Sequence, residues 1–271
     1  MIKVPKVSVI MGVYNCKDIT GLYKSIDSII KQTFTDWEFI ICNDGSNDNT
    51  LDVLKNIEKL DKRIKVLSYK DNKGLAYALN TCIKHANGEY IARMDDDDIS
   101  RLDRFAKQVN FLVRHNEYAF VGSIANVFNK KGIWGVLKMP EYPTEKDLLW
   151  NIPFIHPSMM FRKSALHKVG GYNTNKVNRR CEDYTLVMDM YSMGLKGYNF
   201  QESLIDYQLE NGKKKYRTMK YRIDEAIVRF YGYRKNRILL QGIPYIIKPL
   251  ILGLIPQCVF RKIKEWQYRN I

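Results

Sequence analysis

The sequence predicts an α/β fold built on a mostly parallel central sheet with helices on both faces. Apolar, β-branched segments alternate with amphipathic segments of roughly 10 to 15 residues, which is typical of βαβ units. The apolar segments lack polar-apolar alternation, as expected of strands buried on both faces. A chain of 271 residues with 45% hydrophobic content can also bury a full core.

The first half of the chain alternates strands and helices in a regular order. Leu22, Ile26 and Ile29 recur at a spacing that places them on one side of a helix after the first strand. The later units repeat this pattern. Strands are predicted at residues 7–13, 37–42, 64–69 and 89–94, and helices at 22–30, 51–60 and 74–86.

The regular alternation ends with a helix predicted at residues 101–115, where Phe105, Val109 and Leu112 share one face. The remaining elements are less regular, so this part forms a second half with a different role. Strands are predicted at 118–128, 132–139 and 158–162, a short helix at 144–150, and a longer helix at 182–193.

Four consecutive carboxylates follow the strand at 89–94, namely Asp95, Asp96, Asp97 and Asp98. Like charges this close repel one another, and a divalent cation with oxygen ligands would relieve that repulsion. Ligands of open α/β sheets bind beyond the carboxyl ends of the strands, so the position favours a ligand site. A solvated acidic loop is the alternative. An EF-hand is excluded, because its glycine and closing glutamate positions hold Ser100 and Ala106.

Two other polar stretches follow strands of the first half and could meet the acids in one crevice. Tyr14 could stack on a flat base, and Asp44 could accept a hydrogen bond from a base N–H. Ordinary packing of Tyr14 and an Asx turn at Asp44 are the alternatives. A dinucleotide-binding fingerprint is absent, because Gly12 is the only glycine between the first strand and Gly21, and there is no Walker lysine motif.

These motifs, in their order and spacing, resemble the family-two inverting glycosyltransferases that build bacterial surface polysaccharides. The family has a GT-A fold, which is a Rossmann-like α/β architecture. The resemblance covers roughly residues 5 to 210. The segments that carry it are VSVIMGVYN, NDGSNDNT, NGEYIARMDDDD, HPSMMF and CEDY.

The resemblance implies a UDP-sugar donor, a bound Mn²⁺ or Mg²⁺, and a glycan or lipid-linked glycan acceptor. Tyr14 and Asp44 would hold the uracil, Asp96 would lie near the ribose, and Lys73 would reach the diphosphate or remain solvated. Asp95 and Asp97 would form the D-x-D motif that carries the metal. Nucleotide-sugar binding is therefore expected at Gly12, Tyr14, Asp44, Lys73, Asp95 and Asp96.

The resemblance also implies a general base for the acceptor hydroxyl, and Asp183 of the Glu182-Asp183 pair falls at that position. The alternative for Asp183 is a helix N-terminal acid favoured by the helix dipole. Glu182 is expected to bind the acceptor, and His156 is expected either to bind it or to satisfy a core hydrogen bond.

The chain departs from the family pattern in three places. Asn43-Asp44 replaces the two acids that many members carry, and Asp96 replaces the small residue of D-x-D, which could alter the metal preference. The Q-x-x-R-W motif of processive synthases is absent, which favours the transfer of one sugar at a time. The resemblance alone does not exclude a catalytically inactive relative.

The charge of the chain divides it into two parts. Residues 213–271 hold 15 Lys or Arg against three acids, so this tail carries +12 of the total net charge of +15. We therefore predict a GT-A domain at 1–212, with a nucleotide-sugar half at 1–115 and an acceptor half at 116–212, and a basic helical tail at 213–271. The five cysteines lie far apart without a C-x-x-C pair, which fits a reducing cytosol.

The tail is predicted to attach the protein to the inner face of the cell membrane. Its apolar part is interrupted by Pro244, Lys248 and Pro249, so a spanning helix is not expected. The alternative is that the apolar residues pack on the catalytic domain or on a second copy in a homodimer. Headgroup contacts are expected from Lys213, Lys214, Lys215, Arg217, Lys220 and Arg222, and shallow burial from Ile246, Ile247, Leu250, Ile251 and Leu254.

Two other function classes remain at the level of sequence. A nucleic-acid binder would use the positive charge and tyrosines of the tail, but the acidic cluster has the wrong charge for a phosphate backbone, so no nucleic-acid partner is expected. A sugar nucleotidyltransferase would need a glycine-rich phosphate loop with a basic residue near the N-terminus, and the sequence has none.

Overall fold

The computed structural model describes residues 4–209 and 218–254. Its strands form one nine-stranded sheet in the order β3-β2-β1-β4-β8-β6-β9-β5, with β7 paired to β6 outside this path. The strands are β1 Val7–Val13, β2 Trp37–Asp44, β3 Ile64–Tyr69, β4 Tyr90–Arg93, β5 Ile99–Ser100, β6 Tyr118–Asn129, β7 Gly132–Leu137, β8 Met160–Arg162 and β9 Lys196–Gln208.

The helices pack against this sheet and against one another. Three short 3-10 helices, Asp147–Leu149, His156–Ser158 and Lys176–Asn178, lie in the connections. The α-helices are α1 Ile19–Ile30, α2 Thr50–Glu58, α3 Leu75–His85, α4 Arg104–Arg114, α5 Lys163–Lys168, α6 Glu182–Ser192, α7 Met219–Lys235 and α8 Leu239–Leu254.

The predicted α/β fold is confirmed, and its parallel part is the first half of the chain. β3, β2, β1 and β4 are mutually parallel neighbours, so their carboxyl ends meet at one edge of the sheet. The second half is mixed, because β8 is antiparallel to both β4 and β6, whereas β9 runs parallel to β6. Both halves therefore share one continuous sheet.

Two apolar clusters fill the two faces of this sheet. Along β1, Ile10 belongs to the cluster beneath α3, whereas Val9 and Met11 belong to the cluster beneath α1 and α4. All three side chains are fully buried. This two-sided burial explains why the strand has an unbroken apolar sequence without polar alternation.

The predicted elements of the first half are present, and two strands were missed. The sequence of β9 is apolar only in places. Its neighbouring residues Leu204 and Ile205 are both buried, and irregularities interrupt its pairing with β6. Those irregularities break the period of two that identifies a strand in a sequence. β5 is too short for a periodic pattern and lies at residues 99–100, so the next helix begins at Arg104 rather than at residue 101.

The described part of the tail is helical, as predicted, and docks on the second half. Arg229 of α7 is 4% exposed, and its guanidinium donates to the carbonyl of Leu149 at 3.1 Å and to Glu225 at 3.0 Å. On α8, Lys248 lies over the ring of Trp150 at 3.3 Å from the centroid. Among residues 4–209 and 218–254, no helix has the length and hydrophobicity needed to cross a membrane.

The tail residues chosen for membrane contact do not all face solvent. Arg222 is 8% exposed and lies 3.8 Å from Glu225, so its prediction as a headgroup contact is wrong. Ile246 packs partly against the core, which also removes it from the outer surface. The predicted boundary at 212/213 lies outside the described residues, and so do Lys213, Lys214, Lys215 and Arg217.

Candidate functional site

The predicted site residues of the first half lie at the edge where the parallel strands end. Val13 at the end of β1 is paired with Asn43 near the end of β2, and Ile10 is paired with Arg93 at the end of β4. Tyr14 follows β1, Asp44 is the last residue of β2, and Asp95 follows β4. The topology thus brings three sequence-distant motifs to one edge of the sheet.

A cavity of about 380 Å³ opens at this edge beside the end of β1. Gly12 forms part of its floor, where a Cβ would lie 2.9 Å from Cδ1 of Leu75 and 3.1 Å from Cβ of Ala78. A larger residue would therefore have to displace these side chains of α3. Five of the predicted residues line this cavity, namely Gly12, Tyr14, Asp44, Lys73 and Glu182.

Asp44 is the most densely hydrogen-bonded acid of the site, although it was predicted to contact a base. Its carboxylate accepts from the Tyr69 hydroxyl at 2.6 Å, from Nδ2 of Asn72 at 2.8 Å, and from the backbone N–H groups of Lys73 at 2.8 Å and Gly74 at 2.9 Å. The side chain is 3% exposed. These four donors make Asp44 an anchor for the loop between β3 and α3.

The acid run after β4 forms a compact cluster next to this cavity. Carboxylate oxygens of Asp95, Asp97 and Asp98 all lie within 4.8 Å of one another. Asp98 is fully buried, and its Oδ1 accepts from the backbone N–H of Gln208 on β9 at 2.8 Å. Its Oδ2 is buried without a hydrogen-bond partner among the residues that the structure describes.

Asp98 was not assigned a role from the sequence, although it belongs to the acid run. The run of four acids indicated that Asp98 could also face a cation, but the D-x-D spacing selects only Asp95 and Asp97. Its burial depends on β9, which covers the cluster from the second half of the chain. Because β9 was not predicted, the burial of this carboxylate was not predicted either.

The cluster holds more negative charge than its surroundings neutralise. Asp97 keeps an exposed surface, but desolvation by its neighbours, together with the charges of Asp95 and Asp96, raises its pKa to about 7. Burial and the charges of Asp95 and Asp97 likewise raise the pKa of Asp98 well above its ordinary value. Three converging carboxylates, one with a buried unpaired oxygen, are the hard oxygen donors that Mn²⁺ and Mg²⁺ take, so these residues fit such an ion.

Two buried arginines, Arg93 and Arg104, lie next to the cluster, and neither was assigned a role from the sequence. Arg93 forms an ion pair with Asp95. Arg104 donates from Nη2 to the backbone carbonyl of Arg93 at 2.9 Å and to that of Met159 at 3.2 Å. Burial, with the nearby charge of Arg93, lowers the pKa of Arg104 to about 9. These side chains fix the backbone that presents the acids.

The segment after β1 contacts both the cavity, which Tyr14 lines, and the acid run, which Cys16 approaches. Cys16 of this segment lies beside Asp96, and burial, followed by the charge of that carboxylate, raises the pKa of the Cys16 thiol to about 12. The residues that line the cavity do not include Asp95, Asp96 or Asp97. The predicted site is therefore divided into a cavity and an adjoining acidic face.

Glu182 and Asp183 begin α6, with different surroundings. Glu182 lines the cavity, and burial and the charge of Asp183 raise its pKa. Asp183 is half-buried, lies outside the cavity wall, and accepts from the backbone N–H of Tyr184 at 2.7 Å. The buried phenol of Tyr172 lies near both carboxylates, and they act with burial to raise its pKa, whereas Arg93 opposes this effect.

His156 is buried at 9% exposure, and its Nε2 lies 2.8 Å from the hydroxyl of Tyr172. Burial lowers the pKa of this imidazole well below its ordinary value, and the charge of Arg93 adds to the effect. Of the two roles predicted for His156, the structure supports the hydrogen-bonded core role. His156 is not among the residues that line the cavity, and acceptor binding by His156 stays a prediction.

The chain is similar to known proteins of one family. Residues 8–170 match the family model "Glycosyl transferase family 2". The EpsE protein of Bacillus subtilis (strain 168), whose name assigns it provisionally to the glycosyltransferases, is 39% identical over 267 residues, which cover 98% of this chain and 95% of EpsE.

A second relative and a solved structure extend the comparison. The UDP-Gal:alpha-D-GlcNAc-diphosphoundecaprenol beta-1,3-galactosyltransferase of Escherichia coli is 30% identical over 259 residues, with 93% of this chain and 92% of that protein covered. The crystal structure of S. aureus TarS 1–349 in complex with UDP-GlcNAc superposes with a TM-score of 0.69 at 17% identity, covering 90% of this chain and 73% of that one. At this identity the match concerns the fold.

Proposed function

The chain belongs to glycosyl transferase family 2, and we propose that it is an inverting enzyme that transfers one sugar from a UDP-sugar to a lipid-linked glycan. A role as a glycosyltransferase in surface polysaccharide synthesis agrees with its relatives. The observation that carries the finer proposal is the meeting of a cavity and a triple carboxylate cluster at the ends of β1, β2 and β4.

The UDP-sugar donor would bind in the cavity at this edge of the sheet, with separate side chains for its base and its diphosphate. Tyr14 is 46% exposed on the cavity wall, so its ring is available to stack on uracil. Lys73 also lines the cavity, with Nζ at 4.6 Å from the ring centre of Tyr77, and can approach the diphosphate. Asp44 would act mainly by holding the loop of Asn72, Lys73 and Gly74 in place, because its carboxylate already accepts from four donors.

The acid cluster would hold the divalent cation beside the donor. Asp95, Asp97 and Asp98 are the ligands we propose, and Asp96, which lies beside Cys16, would contact the ribose. When bound, Mn²⁺ or Mg²⁺ supplies positive charge that offsets the charge on the departing diphosphate. Arg93 and Arg104 hold the cluster rigid, which keeps the ligand oxygens positioned for the donor.

Asp183 is the general base in this proposal. Its carboxylate takes the proton from the acceptor hydroxyl as that oxygen bonds to the anomeric carbon, while the bond from that carbon to the diphosphate breaks. The attack comes from the face opposite the leaving group, so the configuration inverts. Glu182, on the cavity wall, would bind the acceptor hydroxyls.

The lipid-linked acceptor is proposed from the Escherichia coli relative, whose name includes GlcNAc-diphosphoundecaprenol. The outer face of α7 and α8 could bring the site to such a lipid at the inner face of the cell membrane. Exposed apolar residues recur there at helical spacing. They are Ile223, Ile227 and Phe230 on α7, and Leu240, Ile243, Ile247, Ile251 and Leu254 on α8.

Basic residues flank this apolar face, which favours an anionic bilayer over a second copy of the chain as its occupant. Lys220, Arg234 and Arg237 are exposed at its ends. Flotation with anionic and neutral vesicles tests the proposal, using Ile247→Glu with Ile251→Glu as the matched variant. Flotation that does not depend on lipid charge or on these residues would contradict membrane attachment, and a dimer lost in the same variant would favour a homodimer.

The function is tested by transfer assays with UDP-Gal, UDP-Glc and UDP-GlcNAc, an acceptor sugar on a lipid diphosphate, and either Mn²⁺ or EDTA. We expect transfer with one donor, an inverted anomeric configuration by NMR, and loss of activity in EDTA. With inorganic pyrophosphate added in place of the acceptor, formation of UTP and a sugar 1-phosphate from the UDP-sugar would instead indicate a nucleotidyltransferase. Absence of any donor-dependent reaction would contradict the proposal.

The role of Asp183 is tested with Asp183→Asn and the neighbouring Glu182→Gln as a matched pair. We expect Asp183→Asn to lower turnover more than 10-fold, or about 1.4 kcal/mol of barrier, while UDP affinity stays nearly unchanged, since a base acts on the acceptor. Glu182→Gln should mainly raise KM for the acceptor. If Asp183→Asn keeps more than about a tenth of the turnover, Asp183 is not the sole base.

A further inference from the structure

The tail helix α7 reaches the donor cavity through one side chain. Tyr221, on the first turns of α7, lines the cavity together with Arg179 and Arg180. The guanidinium of Arg180 lies over the ring of Tyr221, with Cζ at 4.5 Å from the ring centroid. A helix from the basic tail therefore supplies part of the wall of the proposed nucleotide site.

Arg180 is held from its backbone as well as from its side chain. Its φ angle is +66°, a left-handed conformation that is uncommon for a residue with a Cβ. The backbone of Arg180 hydrogen-bonds to the carboxylate of Glu182, and this bond opposes the effect of burial on the pKa of Glu182. Contacts on both sides maintain a backbone conformation that the residue would not adopt by itself.

The cavity wall carries three cationic side chains that suit a diphosphate, against two acidic ones, Asp44 and Glu182. Lys73, Arg179 and Arg180 all line it. Arg179 approaches the α3 side, because its Nε lies 3.7 Å from the position that a Cβ on Gly74 would occupy. Guanidinium groups bind phosphate oxygens through paired N–H donors, and fixing the group in advance reduces the ordering needed on binding.

We propose that Tyr221 is a positioning residue that holds Arg180 against the diphosphate of the bound UDP-sugar. This inference rests on the proposed function and adds a side chain of the tail to the donor site. Arg180 makes the contact with the phosphate oxygens, whereas Tyr221 acts through Arg180. The tail is then required for donor binding in solution, independently of any membrane.

Calorimetry of the full chain with UDP and Mn²⁺, and separately with uridine, tests this inference. We expect Arg180→Ala and Tyr221→Ala each to weaken UDP binding about 10-fold while uridine binding is unchanged, because uridine has no phosphate. Tyr221→Phe keeps the ring and should bind UDP as the wild type does. Adding Tyr221→Ala to Arg180→Ala should cause no further loss, because Tyr221 acts only through Arg180.

Tyr231→Ala is the matched control, since Tyr231 lies on the same helix, is 58% exposed and is outside the cavity wall. It should bind UDP as tightly as the wild type. The inference is overturned if Tyr221→Ala binds UDP normally, or if it weakens uridine binding as much as UDP binding. It is also overturned if its effect on UDP binding adds in full to that of Arg180→Ala. If Tyr221→Ala does not fold, normal UDP binding by folded Arg180→Ala overturns it. Failure of the wild type to bind UDP would overturn the proposed function as well.

Discussion

Two groups of aspartates at the same edge of the sheet have opposite surroundings. Asp44, at the end of β2, is buried and accepts hydrogen bonds from four donors. The cluster of Asp95, Asp97 and Asp98, after β4, holds converging carboxylates, of which Asp98 keeps one buried oxygen without a partner among the described residues. The hydrogen-bond partners, rather than the residue type or its place on the sheet, distinguish a structural acid from an acid that is available to a ligand.

This difference predicts that the two groups respond oppositely to removal of a carboxylate. An acid that accepts from several buried donors contributes to folding, because its loss leaves those donors unpaired. An acid crowded by like charges contributes little or nothing to folding, since its loss relieves repulsion. Removal of an acid at the cluster should therefore reduce activity, and removal of Asp44 should reduce stability.

The largest expected effect is on activity, in Asp97→Ala. We expect metal-dependent turnover to fall about 1,000-fold, equivalent to about 4 kcal/mol of barrier, because the diphosphate loses its bound counter-charge. The free energy of unfolding without metal should stay equal or rise. Asp103→Ala is the control. The side chain of Asp103 is about half exposed, is not part of the cluster, and pairs with Lys107 at an N–O distance of 2.7 Å. A large loss of stability in Asp97→Ala would break the comparison.

The next effect is on stability, in Asp44→Ala. We expect the free energy of unfolding to fall by about 3 kcal/mol, because buried hydrogen bonds to the loop of residues 72–74 are lost. Urea denaturation followed by circular dichroism measures this change. Asp52→Ala, at an exposed position on α2, should change the value by less than about 0.5 kcal/mol. Equal stability of the two variants would show that the network around Asp44 adds nothing.

The smallest effect sharpens the same comparison, in Tyr69→Phe. This variant removes one of the four donors to Asp44, the hydroxyl at 2.6 Å, and keeps the ring packed against Tyr77. We expect a loss of about 1 kcal/mol, clearly less than in Asp44→Ala, because the other three donors remain. A loss as large as that of Asp44→Ala in the same denaturation experiment would mean that the four bonds do not act separately.

The sequence predicted the parts of the fold that have a clear period. β1 to β4 and their helices were predicted because two-sided burial and amphipathic spacing leave strong patterns. β9 was missed because the irregularities in its pairing with β6 interrupt its alternation. The burial of Asp98 depends on that strand, so its place in the cluster was not predictable from D-x-D spacing.

The site residues divide in the same way. Gly12, Tyr14 and Asp44 were predicted to share one crevice because they lie where strands of the parallel part end, and they line one cavity together with Lys73. The contact of Arg180 with Tyr221 joins residues that lie about 40 positions apart, in a loop and in the tail. No local pattern relates these two positions, and only the docking of α7 on α6 brings them together.

Electron paramagnetic resonance of Mn²⁺ tests the central claim most directly, because it measures the free ion in the presence of the full chain without an acceptor. The account predicts one bound Mn²⁺ per chain, tightened by UDP, and loss of this binding in Asp97→Ala and Asp98→Ala but not in Asp103→Ala. Wild-type protein that leaves the Mn²⁺ signal unchanged with and without UDP, or equal binding by Asp97→Ala, would contradict the assignment of the acid cluster as the metal site.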